Sequence, residues 1–184
     1  MGKSMAPIDG DRLKEFLKTL FAESGDQYVV LAQLGFSTGL RISDLLKLKY
    51  GQFKRQKRVL QIKEQKTNKI KRIEITAAMR EPVLELKKNT YSSDEDWVFS
   101  VRAGKPMSRT TAYRHIKAAG ARCNLTRVGP HSLRKTYAVN KFIESYGDIE
   151  FVREAMNHKY SETTLYSYLL AGLDIGELLK KVLL

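Results

Sequence analysis

Hydrophobic positions recur with helical spacing along most of the chain and switch to strand-like runs in one region. From Asp11 to Ala22, Leu13, Phe16, Leu17, Leu20 and Phe21 form the i, i+3, i+4, i+7, i+8 stripe of a helix that buries one side. A second helix is predicted from Gln27 to Ser37, broken at Thr38–Gly39, and a short one starts near Ser43 and carries Leu45, Leu46 and Leu48. Val59–Ile62 and Ile70–Ile75 are β-prone runs joined by the polar stretch Lys63 to Lys69, which suits a hairpin turn, and Tyr50 to Phe53 adds a third short strand. Helices are predicted again over Ala78–Lys88, Ser108–Ala121 with Ser108 as N-cap, and His131–Tyr146 between Pro130 and Gly147. Three more follow: Ile149–Met156 capped by Asp148, Glu162–Leu170 and Asp174–Val182. The expected fold class is mainly α with one small antiparallel β-sheet (α+β), because strands and helices do not alternate as βαβ units would require.

At 184 residues the chain suffices for one domain with a real core. No apolar run reaches the roughly 18–20 residues of a membrane span, and the N-terminus lacks the apolar stretch of a signal peptide. A lone cysteine, Cys123, excludes an internal disulfide and a cysteine-based zinc site. A cytoplasmic location is therefore expected. Charge changes the picture more: 33 Lys and Arg stand against 20 Asp and Glu, a net +13. From Trp97 to Ile143 there is no acidic residue, while Arg102, Lys105, Arg109, Arg114, Lys117, Arg122, Arg127, Arg134, Lys135 and Lys141 all fall there. A solvated face normally mixes signs, so this stretch points to a polyanion, of which nucleic acid is the commonest.

Three segments could carry chemistry. In STGLRISDLLKL, Gly39 permits a tight turn that presents Arg41 at the start of the next helix, with Asp44 on the same face. The guanidinium suits a phosphate, and an Arg41–Asp44 surface pair is the plainer alternative. In GPHSLRKTYA, His131 and Arg134 share a helix face, placing a titratable imidazole beside a fixed cation. In EAMNHKYSETTLYSYL, His158 precedes Tyr160, Tyr166 and Tyr168. A tyrosine hydroxyl can attack a phosphodiester where neighbours stabilise its phenolate, though core packing is the usual fate of such residues.

In order and spacing these segments resemble the tyrosine recombinases, the phage-integrase family, over nearly the whole chain. Thr38 to Asp44 match the family's T-G-[LM]-R-[IVPL]-[SG]-[DE] box, and Lys66–Thr67 match its hairpin Lys-Thr. His131, Leu133, Arg134 and Thr136 match H-x-L-R-H-T, with Lys135 where His or Arg is usual. Met156, Asn157, His158, Thr163 and Thr164 match L-G-H-x-x-x-x-T-T.

The resemblance implies the fold of that family's catalytic domain and a site-specific DNA recombinase that works through a 3′-phosphotyrosyl intermediate without metal, ATP or other cofactor. Arg41 and Arg134 would clamp the scissile phosphate, Lys66 would protonate the departing 5′-oxygen, His131 would assist proton movement at the nucleophile, and His158 would hydrogen-bond the phosphate. Lys69, Arg109, Arg114 and Lys135 are expected DNA contacts. The partner would be double-stranded DNA, met by a monomer that forms a tetramer on DNA by exchanging the apolar C-terminal helix Asp174–Leu184. Residues 1–184 are expected to form a single catalytic domain, without the family's N-terminal core-binding clamp.

The match breaks where the family's nucleophilic tyrosine falls on Ser167, between Tyr166 and Tyr168. A one-residue adjustment, a rotation of about 100° on a helix, would present Tyr168, or with less support Tyr166. Otherwise the chain is a cleavage-defective DNA-binding or regulatory relative. A type IB topoisomerase-like activity shares the chemistry and is disfavoured by the box sequences.

Overall fold

The computed structural model describes residues 5–102 and 104–160. Seven helices, a 3₁₀ turn and two short hairpins make up this part: α1 (Gly10–Ser24), α2 (Asp26–Thr38), α3 (Ile42–Leu45), β1 (Val59–Lys63), β2 (Ile70–Glu74), α4 (Ala77–Asn89), β3 (Ser100–Arg102), β4 (Lys105–Pro106), α5 (Arg109–Arg122), α6 (Pro130–Glu144) and α7 (Ile149–Ala155). The expected mainly α domain with a small antiparallel sheet is what the chain forms. The expected helices Glu162–Leu170 and Asp174–Val182, with Tyr166, Ser167 and Tyr168, lie outside the described residues.

The centre is α2, which packs against α1, α4 and α6. It is apolar on most sides: Val30, Leu31, Leu34 and Phe36 are all buried, and only a narrow strip through Asp26, Gln33 and Ser37 reaches water. Around it Phe16 and Leu20 of α1, Val83 of α4, Ile116 of α5 and Leu133 of α6 complete one core. A second cluster of Tyr137, Ala138, Phe142, Val152 and Met156 joins α6 to α7. Contact between α2 and α6 is close because Gly35 has no side chain: a Cβ there would stand 2.9 Å from Leu133. Helix α2 then stops at Gly39, whose left-handed backbone (φ 60°) turns the chain and whose N–H returns to the Gly35 carbonyl.

Two local expectations change. Tyr50–Phe53 is a 3₁₀ turn rather than a strand. The isolated Lys49–Trp97 bridge ends just before it, and three-residue periodicity puts Tyr50 and Phe53 on one side, where both are buried. The β3–β4 hairpin was not expected. Elsewhere the predicted caps form: the Ser108 hydroxyl accepts from the Thr111 N–H at 3.0 Å, and Asp148 Oδ1 accepts from Phe151 N–H at 3.0 Å.

Candidate active site

Five of the sequence candidates come from four separate parts of the chain and line one cleft of about 550 Å³: Arg41, Lys66, His131, Arg134 and His158. The turn at Gly39 delivers Arg41 as the N-cap residue of α3. Lys66 lies exposed in the turn between β1 and β2. Pro130 starts α6, where its missing N–H costs nothing, and His131 and Arg134 follow one turn apart. His158 comes just after α7, behind Asn157, which holds the left-handed backbone (φ 56°) where the family pattern has glycine.

Arg134 is only 1% exposed, a burial that a guanidinium tolerates only when its N–H groups are answered. Its Nη1 donates to the Gly39 carbonyl. Its Nη2 donates to the Met156 carbonyl at 2.7 Å and lies 3.2 Å from His158 Nε2. A guanidinium can only donate, so Nε2 accepts and the proton of a neutral His158 ring sits on Nδ1. Arg41 is paired with Glu64, Nη1 to Oε1 at 2.7 Å, and not with Asp44. Asp44 is instead buried under the hairpin, where its Oδ1 accepts from the Gln65 N–H at 3.1 Å. Desolvation pushes the Asp44 carboxyl above its ordinary value, and nearby Glu64 adds to the rise.

The two imidazoles are pushed the other way. Burial holds His158 down to about 3, helped by the charges of Arg134, Arg41 and Lys71. Desolvation, with Lys135, Arg134, Arg41 and Lys66, lowers His131 to about 4. His131 faces the open cleft, so water softens that shift, but both rings are neutral at pH 7 and His131 can take a proton. Behind the cleft Lys71 is buried, its Nζ donating to the Thr38 carbonyl at 2.7 Å and lying 5.0 Å from the Tyr137 ring centroid. Burial first, and then Arg134, bring its ammonium down to about 7.

The His158 shift has a consequence for stability. Its folded value lies below the unfolded one of about 6.5, so acidification protonates the unfolded chain first and stability is lost as pH falls from about 6.5 towards 3. Between pH 7 and pH 5 this one residue should remove about 2 kcal/mol, or ~5 °C in Tm. Melting curves of the His158→Gln variant should lack that part of the drop. An equal pH slope in both proteins would refute a neutral, buried His158.

The expected DNA contacts divide. Arg109 opens α5 at the rim of the cleft, and Lys69 is exposed on the hairpin. Arg114 is exposed on α5, does not line the cleft, and is close enough to Tyr28 for its charge to act there. Lys135 departs from expectation: it is 0% exposed and, unlike Arg134, does not line the cleft. Helix α6 is enclosed from Ser132 to Ala138, so the position that looked outward in sequence faces inward. Glu64, Asn157 and Lys71 were missed. Strand alternation from Leu60 through Ile62 to Glu64 was the available signal for the first of these.

A mostly helical domain with a hairpin lysine, two arginines and two histidines around one cleft has the fold of a tyrosine recombinase catalytic domain. The solved XerA recombinase superposes with a TM-score of 0.77 at 20% identity, covering 98% of this chain and 65% of that one. A lambda integrase dimer bound to a COC' core site superposes at 0.70 and 19%, covering 95% and 64%. The model of the phage integrase family matches residues 7–171, and the chain belongs to that family, the tyrosine recombinases. Among relatives, "Probable integrase/recombinase YoeC" of Bacillus subtilis (strain 168) is 31% identical over 156 residues, 84% of this chain and 83% of that protein. Tyrosine recombinase XerC of Pseudomonas aeruginosa PAO1 is 29% identical over 169 residues, 88% of this chain and 54% of that protein. The chain therefore spans about half of XerC and about two thirds of the solved XerA chain. No described helix is long and apolar enough to cross a membrane.

Proposed function

We propose that this chain cleaves and rejoins double-stranded DNA as a site-specific recombinase through a 3′-phosphotyrosyl link. The observation that carries the reading is the single cleft onto which Arg41, Lys66, His131, Arg134 and His158 converge. A tyrosine phenol oxygen attacks the scissile phosphorus and the bond from phosphorus to the 5′-oxygen breaks. His131, neutral at pH 7, takes the phenol proton, and Lys66 gives one to the leaving 5′-oxygen. Arg41 and Arg134 hold the non-bridging oxygens while charge builds on them, and an entering phosphate competes with His158 for the Nη2 donor of Arg134. Phosphodiester energy is kept in the new bond, so religation by a second strand's 5′-hydroxyl needs no ATP. Arg109, at the rim of the cleft, and Lys69, exposed on the hairpin, would follow the DNA backbone. Assembly as a tetramer on DNA through the segment Asp174–Leu184, from a monomer in free solution, belongs to the same proposal.

Tyr168 is the preferred nucleophile and Tyr166 its alternative. Ser167 at the family's tyrosine position favours the second reading, a relative that binds DNA without cutting it. Covalent trapping on a nicked duplex taken from DNA flanking the chain's own gene separates them. A denaturing gel should show an adduct, and peptide mass spectrometry should map it to Tyr168. A native-gel shift with no adduct would reject cleavage in favour of binding alone.

A further inference from the structure

The buried carboxylate of Glu64 links parts of the cleft that the sequence motifs leave unconnected. It is 0% exposed at the end of β1, and its two oxygens face four elements of the fold. Oε1 accepts from Arg41 Nη1 at 2.7 Å and stands 3.8 Å from Arg134 Nη1. Oε2 accepts from the Thr67 hydroxyl at 2.9 Å and from Asn157 Nδ2 at 2.8 Å. Two of these partners are the cleft arginines, and the other two precede or follow a cleft residue by one position: Thr67 after Lys66 and Asn157 before His158. The backbone of Glu64 also closes the hairpin, its N–H donating to the Lys69 carbonyl and its carbonyl accepting from Asn68 N–H, each at 2.9 Å.

We propose that Glu64 is the positioning residue of the cleft: one carboxylate that holds the Arg41 and Arg134 guanidinium groups side by side and ties the Lys66 turn and the His158 segment to them. Two guanidinium groups sharing a pocket repel each other, and a fixed anion behind them offsets that repulsion before a phosphate arrives. Three hydrogen-bond donors on two oxygens, with the Arg134 charge beside them, also leave the carboxylate little freedom to swing into the cleft. Asn157 adds to this arrangement where the chain departs from the family pattern. At a left-handed position where the family pattern has glycine, it tolerates the backbone and adds the amide that reaches Glu64 across 93 residues of sequence. A positioning carboxylate predicts that its loss weakens the cleft. A carboxylate that merely occupies the phosphate's place predicts the opposite.

The inference rests on the proposed recombinase reading for its rate assay but has a second readout that does not. In single-turnover cleavage of the nicked duplex, Glu64→Gln should lower the rate ~10–100-fold while the DNA concentration for half-saturation stays within about twofold. Asn157→Gly keeps the backbone conformation, removes only the amide, and should lower the rate several-fold. It serves as the informative variant if Glu64→Gln fails to fold. Inorganic phosphate titrated against the free protein, followed by the side-chain N–H signals of Arg41 and Arg134 in NMR, should bind about fivefold or more weakly in both variants. Wild-type rates and wild-type phosphate affinity in folded variants would overturn the proposal, and so would tighter phosphate binding. If the wild-type protein makes no adduct at all, cleavage by this chain is rejected, while the phosphate titration still decides the role of Glu64.

Discussion

Replacing Arg134 with leucine is expected to lower formation of the proposed phosphotyrosyl adduct ~100–1000-fold, the scale on which removing a donor aimed at transition-state charge acts. The side chain serves twice, so stability should fall as well. Arg134 ties the Gly39 turn, the end of α7 and Glu64 together from a position with 1% exposure. Removing one partner of a buried ionic network leaves the other unanswered, at about 3–5 kcal/mol. For a domain of this size that is roughly 10 °C in Tm. The two effects separate by assaying cleavage well below the variant's melting point. Arg41→Lys is the companion, because Arg41 is 19% exposed and its removal disturbs the core less. It keeps the charge and loses the planar fork, so a rate drop with little change in Tm is expected. An Arg134→Leu protein that is folded and cleaves within tenfold of wild type would remove Arg134 from the chemistry.

The fold was legible where one periodicity dominated. Helix α1 shows its stripe because one side faces water, and the caps of α5 and α7 are local events that neighbouring residues specify. Tyr50–Phe53 misled because aromatic residues suit a strand and a 3₁₀ turn alike, and what decides is whether a partner strand is present. Lys135 misled for a related reason. Where two core clusters enclose the helix from Ser132 to Ala138 there is no outward face, and periodicity cannot reveal that a second layer covers the first.

The site was legible as a set of segments and not as an arrangement. Arg41, Lys66, His131, Arg134 and His158 were each visible because family boxes are short and local. The residue joining them was not, since Glu64 meets Arg41 across 23 positions and Asn157 across 93. The acid-free stretch from Trp97 to Ile143 was read as pointing to a polyanionic partner. One of its cations, Arg134, already lies beside an anion inside the protein, the hairpin carboxylate of Glu64 outside the stretch.

Gly39 is where fold and site meet most tightly, and Gly39→Ala is the second large effect expected. Its left-handed backbone disfavours any side chain by about 1–2 kcal/mol. An added Cβ would also fall within the van der Waals shell of the Tyr137 ring, and overpacking of that kind costs about 1–3 kcal/mol more. Tm should therefore drop by ~10 °C. The disturbance should not stay local, because the Gly39 carbonyl receives Arg134, Arg41 lies two residues on, and Tyr137 covers the Lys71 ammonium that holds the Thr38 carbonyl. Cleavage should fall more than the lost stability explains, even at temperatures where the variant is fully folded. Trimming the ring tests the cause: in a double-mutant cycle, Tyr137→Leu combined with Gly39→Ala should recover the part due to the clash and leave the backbone strain. Additive losses would mean that ring and turn act independently. A Gly39→Ala protein that melts within about 2 °C of wild type would mean the turn can relax without moving the arginines it positions.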